Sequence, residues 1–388
     1  MNSRLLFVAA ATLLLTIATT LAQPEPVVPI TRNQHPHSWY AEQSRLWQEV
    51  VSKEPTNAPA WFNYFLATRY VRITSWNHSE YNQANYQDLG NIVAQMEKHI
   101  PNSFEFHYAS FYYVDDIAQH NRHLFRAHQI APDRVDIYPH LLVTHELNQD
   151  QKRATVIAKK YDQSGHASPS LLDWNYNMLA PLAEDAILFV NGDNDSYPKW
   201  ILQYARGMRP DVVVIEVGML YIDDFRTKVL KRIGLPSFPG EETYPDFTDF
   251  IRAFFRHAIQ HSKRPLYFAT TLYQKYTSKI SNDLYNEGLA LRYRAQSYDN
   301  LKVQADNFEK YFRLDYLQVD DIDDVSKGIV NRLDLNYLYS FADLYKYYLT
   351  NGNLTQATKV KNLLNAIAGR GGNPEAVNFV EECLAEQQ

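Results

Sequence analysis

The chain has a single cysteine, Cys383, in 388 residues, which excludes an internal disulfide and leaves stability to the core. It has no basic excess: 38 Lys and Arg stand against 44 Asp and Glu, for a net charge of −6. With no Lys/Arg block either, nucleic acid is not an expected partner. After residue 22 no apolar run is long enough to cross a bilayer, so no membrane span is expected in the mature chain. Catalytic signatures are missing as well. There is no Gly-x-Ser-x-Gly elbow, Walker loop, Gly-x-Gly-x-x-Gly fingerprint or His-Glu-x-x-His pair, and His145-Glu146 lacks a second histidine at the needed spacing. Only 13 Gly and 18 Pro argue against collagen-like and low-complexity classes.

Aromatic residues are abundant, at 14% of the chain with 28 Tyr and 19 Phe. Much of this excess falls at Trp61–Tyr70, Phe104–Tyr113 and Tyr337–Tyr348, where packing between helices explains it better than a sugar-stacking cleft. The first 22 residues read as an export signal: Arg4, an apolar run from Leu5 to Leu21, and a small-x-small site at Thr20-Leu21-Ala22. The expectation is cleavage after Ala22 and a periplasmic or secreted protein, with a retained N-terminal anchor as the alternative. Residues 23–36 then form a linker; His35 and His37, on either side of Pro36, are expected in a mobile post-signal segment.

From residue 37 to 168 apolar residues recur at helical spacing, punctuated at Glu54-Pro55, Ile100-Pro101-Asn102 and Ala131-Pro132-Asp133. His120, His123 and His128 are expected on polar helix faces here. The Trp61, Tyr64 and Thr68 spacing, followed by Leu124, Ala127 and Pro132, resembles a degenerate tetratricopeptide array. Phe65 stands where that family has a small residue.

The pattern changes between residues 169 and 318. Ala186–Val190, Val212–Val217 and Leu266–Ala269 are short apolar runs, with a fourth strand near Leu289–Arg294 and amphipathic segments at Pro198–Met208 and Phe247–His261. Asp173-Trp174-Asn175-Tyr176 reads as a packing helix before the sheet. Strand, helix, strand predicts an α/β domain with a small, Rossmann-like, mostly parallel sheet. Residues 325–388 read as a C-terminal helical region, with Leu335–Leu349 and Gln356–Ala368 joined at Asn351-Gly352-Asn353. Asp320, Asp321, Asp323 and Asp324 lack the Gly and distal Glu of a calcium loop.

The candidate site is the loop after the first strand, Asn191-Gly192-Asp193-Asn194-Asp195, placed where open α/β sheets bind ligands. Asp193 and Asp195 offer hard oxygen ligands for magnesium or manganese, which would hold a phosphate. Glu216, Asp223, Asp224, Thr270 and Thr271 would share the rim. The same residues also suit a scaffold loop, with Asp195 or Ser196 as N-cap and Pro198 in the first helical turn. Ala186–Leu220 resembles the soluble C-terminal half of bacterial membrane proteins of unknown function related to protein O-mannosyltransferases. The resemblance implies the fold, export, and membership of Asp193 and Asp195 in a signature loop; the family's catalysis is assigned to a membrane part that this sequence lacks.

Two functions fit. One is an exported, non-catalytic binding or scaffold protein for a protein or glycan partner, a relic enzyme fold retained for binding included. The other is a metal-dependent enzyme acting on a phosphorylated or nucleotide-linked sugar.

Overall fold

The computed structural model describes residues 23–74, 83–114, 116–318 and 324–385. Residues 1–22, where an export signal is expected, and Asp320, Asp321 and Asp323 lie outside the described residues.

The chain begins with α1 (His37–Lys53), α2 (Ala58–Thr74), α3 (Gln83–His99), α4 (Phe104–Tyr113), α5 (Ile117–Ile130), α6 (Tyr138–Leu147) and α7 (Gln151–Gln163). α1 packs on α2, α4 on α5 and α6 on α7, so this region is a set of helical hairpins. The expected breaks hold because side chains close the turns. Asn57 Oδ1 accepts from Ala60 N at 3.1 Å, and Ser103 and Asp116 cap α4 and α5. Tyrosines fill the seams: Tyr40 meets Tyr70 edge-on at 5.3 Å, while the buried Tyr108 reaches out to donate to Asp136 O at 2.7 Å.

Residues 23–36 are not the mobile linker expected. They form a strap laid on these helices, because side-chain amides satisfy its backbone. Gln43 Oε1 accepts from Glu25 N at 2.7 Å, and Asn63 Oδ1 from Val27 N at 2.6 Å. His35 stacks on Trp39 at 3.9 Å. His120, His123 and His128 are half-buried at helix contacts, with His120 against Phe111 and His123 Nδ1 3.0 Å from His107 Nδ1.

Next come α8 (Pro169–Leu179), β1 (Ile187–Val190), α9 (Asp193–Arg206), β2 (Val213–Glu216), α10 (Asp223–Ile233), α11 (Phe247–His261), β3 (Leu266–Ala269), α12 (Gln274–Thr277), β4 (Leu284–Asn286), β5 (Ala290–Tyr293) and α13 (Asn300–Lys310). Among the described residues the strands form one sheet in the order β2-β1-β3-β5-β4. β1 is parallel to β2 and β3, with Ile187 opposite both Val213 and Leu266. The expectation of a mostly parallel, Rossmann-like sheet is corrected here: β3–β5 and β5–β4 are antiparallel, and the sheet is mixed. For the β4–β5 pair the reason is the length of the connection. Only Glu287-Gly288-Leu289 joins β4 to β5, and a parallel pair needs a long crossover.

Every residue of β1 is buried, so both sheet faces are covered. Phe189 and its register partner Phe268 meet Phe255 of α11 at 4.9 and 4.8 Å, and Leu188 and Val190 point to the opposite face. Each such side chain contributes about 1.5–3 kcal/mol by leaving water. α14 (Lys327–Asp334), α15 (Leu338–Thr350), α16 (Leu354–Gly371) and α17 (Pro374–Ala385) close the chain, α15 and α16 forming the expected hairpin. Cys383 is buried in α17.

Candidate functional site

α9 begins five residues earlier than its sequence suggested, and this alters every role in the loop. Gly192 is the N-cap, at φ 84° and ψ 174°, a conformation open essentially to glycine alone. Asp195 and Ser196 are therefore not caps but lie inside the helix. Pro198 is also interior, where it deprives the carbonyl of Asn194 of its helical donor. Asn175 of α8 replaces that donor, its Nδ2 lying 3.0 Å from Asn194 O.

With the helix starting at Asp193, Asp195 and Lys199 stand one turn apart on its inner face. Both are buried, at 1% and 0% exposure, and Lys199 Nζ lies 2.5 Å from Asp195 Oδ1. The ammonium also donates to Asn175 Oδ1 at 2.7 Å and Asp195 O at 2.8 Å, and sits 5.2 Å from the Trp174 ring centre. Burial pulls the Lys199 ammonium below the ordinary lysine range, and the Asp195 carboxylate opposes that pull. Asp195 Oδ2 accepts from Asn191 N at 3.1 Å and from the Thr271 hydroxyl. β1 lies between β2 and β3, so the strand order reverses beside this loop, where open sheets commonly leave a ligand crevice. Here Asp195, Thr271 and Asn191 bridge the crevice themselves.

Asp193 faces elsewhere. It lines a cavity of about 280 Å³ between α9, the strap and α2, α4 and α6. Burial raises its carboxyl above the ordinary range, while a hydrogen bond from Tyr197 and the charge of Arg69 pull it back. His140, on the same wall, shares a 2.7 Å hydrogen bond with the Tyr112 hydroxyl. Burial, reinforced by Arg69, lowers the His140 imidazole to about 3, so it is neutral at physiological pH. Asn194 Nδ2 ties the loop to the strap through Thr31 O at 3.0 Å.

Residues 171–262 match the family model described as TMEM260-associated domain 2. This span runs from α8 through α11 and contains Asn175, the loop, Lys199 and Glu216. It also contains Ala186–Leu220, where the sequence resemblance was placed. No curated protein matches the chain. Among solved structures, the chain is similar to "Crystal Structure of the Yeast Tom70" at 10% identity and a TM-score of 0.27, covering 90% of this chain and 60% of that one. It thus spans less than two thirds of the length of that structure.

The other candidate rim residues disperse. Glu216 faces the loop, accepting from Gly192 N at 3.2 Å and Met219 N at 2.9 Å, and burial raises its carboxyl. Asp223 and Asp224 sit in the first turn of α10, exposed, and pair with Arg226 and Lys228 of the same helix. Thr270 Oγ1 donates to Leu289 O at 3.1 Å, serving the sheet.

Asp193 and Asp195 do not converge on one place for a magnesium or manganese ion. The Lys199 ammonium occupies the place beside Asp195 that a cation would take, and Asp193 opens into the cavity. Among the described residues, no group of three or more His, Cys, Asp or Glu is placed to hold a metal. Sequence reasoning missed Lys199 and Asn175, although the four-residue spacing from Asp195 to Lys199 was visible once the helix start was known. Arg69 carried no sequence signal.

Proposed function

We propose that this is an exported, non-catalytic binding protein whose helical hairpins and small mixed sheet present surfaces to a protein partner. Its recognition pocket is the cavity where the two regions meet. The observation that carries this reading is the commitment of Asp195 to Lys199, Asn191 and Thr271, which makes the Asn191–Asp195 loop a pin between sheet and helices. Asp193 is left to face the cavity. Export is supported by the apolar, Arg4-led start of the sequence. A relation to the O-mannosyltransferase-like membrane proteins belongs to the same proposal, supported by the position of the Ala186–Leu220 motif inside the matched span. Among the described residues no helix is long and apolar enough to cross a membrane.

The test is a thermal-shift and turnover experiment with magnesium, manganese and a panel of nucleotide sugars. The expected outcome is neither cation-dependent stabilisation nor turnover. A manganese-dependent shift abolished by both Asp193→Asn and Asp195→Asn would establish the metal enzyme instead.

A further inference from the structure

The cavity holds an imbalance of charge. Arg69 of α2 and Arg32 of the strap both line it, and among the described residues neither forms an ion pair with a carboxylate. The Arg69 guanidinium lies 4.8 Å from the Tyr112 ring centre and 5.8 Å from that of Tyr70. Arg32 spends its donors on neutral acceptors, His166 Nε2 at 2.7 Å and His166 O at 3.4 Å. Asp136, the second acid on the wall, is claimed by Arg134 at 2.8 and 3.1 Å. Two guanidinium groups therefore face one free acid, Asp193, which already receives the Tyr197 hydroxyl. A half-buried guanidinium stacked on an aromatic ring, with its fork unclaimed by an acid among the described residues, is arranged to receive planar or tetrahedral oxyanions.

We propose that this cavity binds a small ligand through an oxyanion, a carboxylate or a phosphate, held by Arg69 and Arg32. Asp193 and Tyr197, on the α9 side, receive a hydroxyl or amine of the same ligand. The volume of about 280 Å³ lies just below the usual range for ligand sites and limits the occupant to a small molecule or a single terminal group of a larger one. The proposal rests on reading the cavity as the recognition pocket.

The experiment is calorimetric titration of the whole chain with inorganic phosphate, glutarate and, as a neutral control, glucose. The variants are Arg69→Gln, Arg69→Lys and Arg32→Gln, each first checked for an unchanged circular dichroism spectrum. Binding of either anion, weakened at least tenfold by Arg69→Gln and by Arg32→Gln and absent for glucose, supports the proposal. Arg69→Lys retains the charge and the apolar stem. It therefore keeps phosphate within a few-fold while weakening the dicarboxylate, whose two-point geometry a guanidinium matches better; this separates the two anion classes and controls for misfolding. Glucose binding indifferent to Arg69→Gln overturns the oxyanion while leaving the pocket. No response to any probe overturns the proposal and moves recognition to the helical surfaces.

Discussion

Replacing Lys199 with Met tests the central claim about the loop. Methionine keeps the length and apolar stem against Trp174 but removes an ammonium that donates to Asp195 Oδ1, Asp195 O and Asn175 Oδ1. Asp195, 1% exposed, would keep only Asn191 N and the Thr271 hydroxyl, leaving a buried carboxylate without counter-charge. Such a loss costs about 3–5 kcal/mol. At about 2–4 °C per kcal/mol, the slope for large domains, the apparent Tm should fall by roughly 6–20 °C. Asp195→Asn should cost less, since the amine can shed its proton and the amide oxygen still accepts. The double variant should cost less than the two single changes added, with a coupling of about 2–3 kcal/mol. Calorimetry or circular dichroism melting of the four proteins measures this. Additive effects, or a single-variant loss under about 1 kcal/mol, would refute the buried pair. A loop built for a divalent cation gives the opposite sign: Lys199→Met would remove a repulsive charge, and manganese would then raise the Tm.

Two further outcomes are expected. Gly192→Ala should lower stability by about 1–3 kcal/mol through backbone strain alone, because no atom lies within 4 Å of the new methyl group; an unchanged melting curve would show that the loop can relax. Asp334 is buried with Oδ2 unpartnered, accepts from the Tyr316 hydroxyl at 2.8 Å, and is raised to about 7 by burial against the pull of Arg370. Its folded form holds the proton more tightly than the unfolded chain, so stability should decline between about pH 4 and 7. Asp334→Asn should melt with wild type near pH 4 and above it at pH 8, by up to about 4 kcal/mol, in melts across that range. Parallel curves at both pH values would contradict the assignment.

The sequence by itself determined the kinds of element and their order, because periodicity is a local property. The apolar runs at Ala186–Val190 and Val212–Val217 are short and rich in β-branched residues, which marks them as buried strands, and the breaks at Pro55, Pro101 and Pro132 fall between helices. The tyrosine excess pointed to helix seams for the same reason. The antiparallel half of the sheet was less legible, since β4 is three residues long with no continuous apolar run.

Tertiary structure decided the chemistry of the loop. Sequence placed the helix start near Pro198, since proline favours a first turn, but Asn175 of a neighbouring helix satisfies the carbonyl that Pro198 frees and so allows α9 to begin at Asp193. That shift turned Asp195 inward to Lys199 and Asp193 outward to the cavity. Whether two carboxylates one residue apart converge depends on the backbone between them, and here a helix separates their directions. The cavity itself joins Arg32, Arg69 and Asp193, residues far apart in the chain, and no local pattern records which distant side chains will meet.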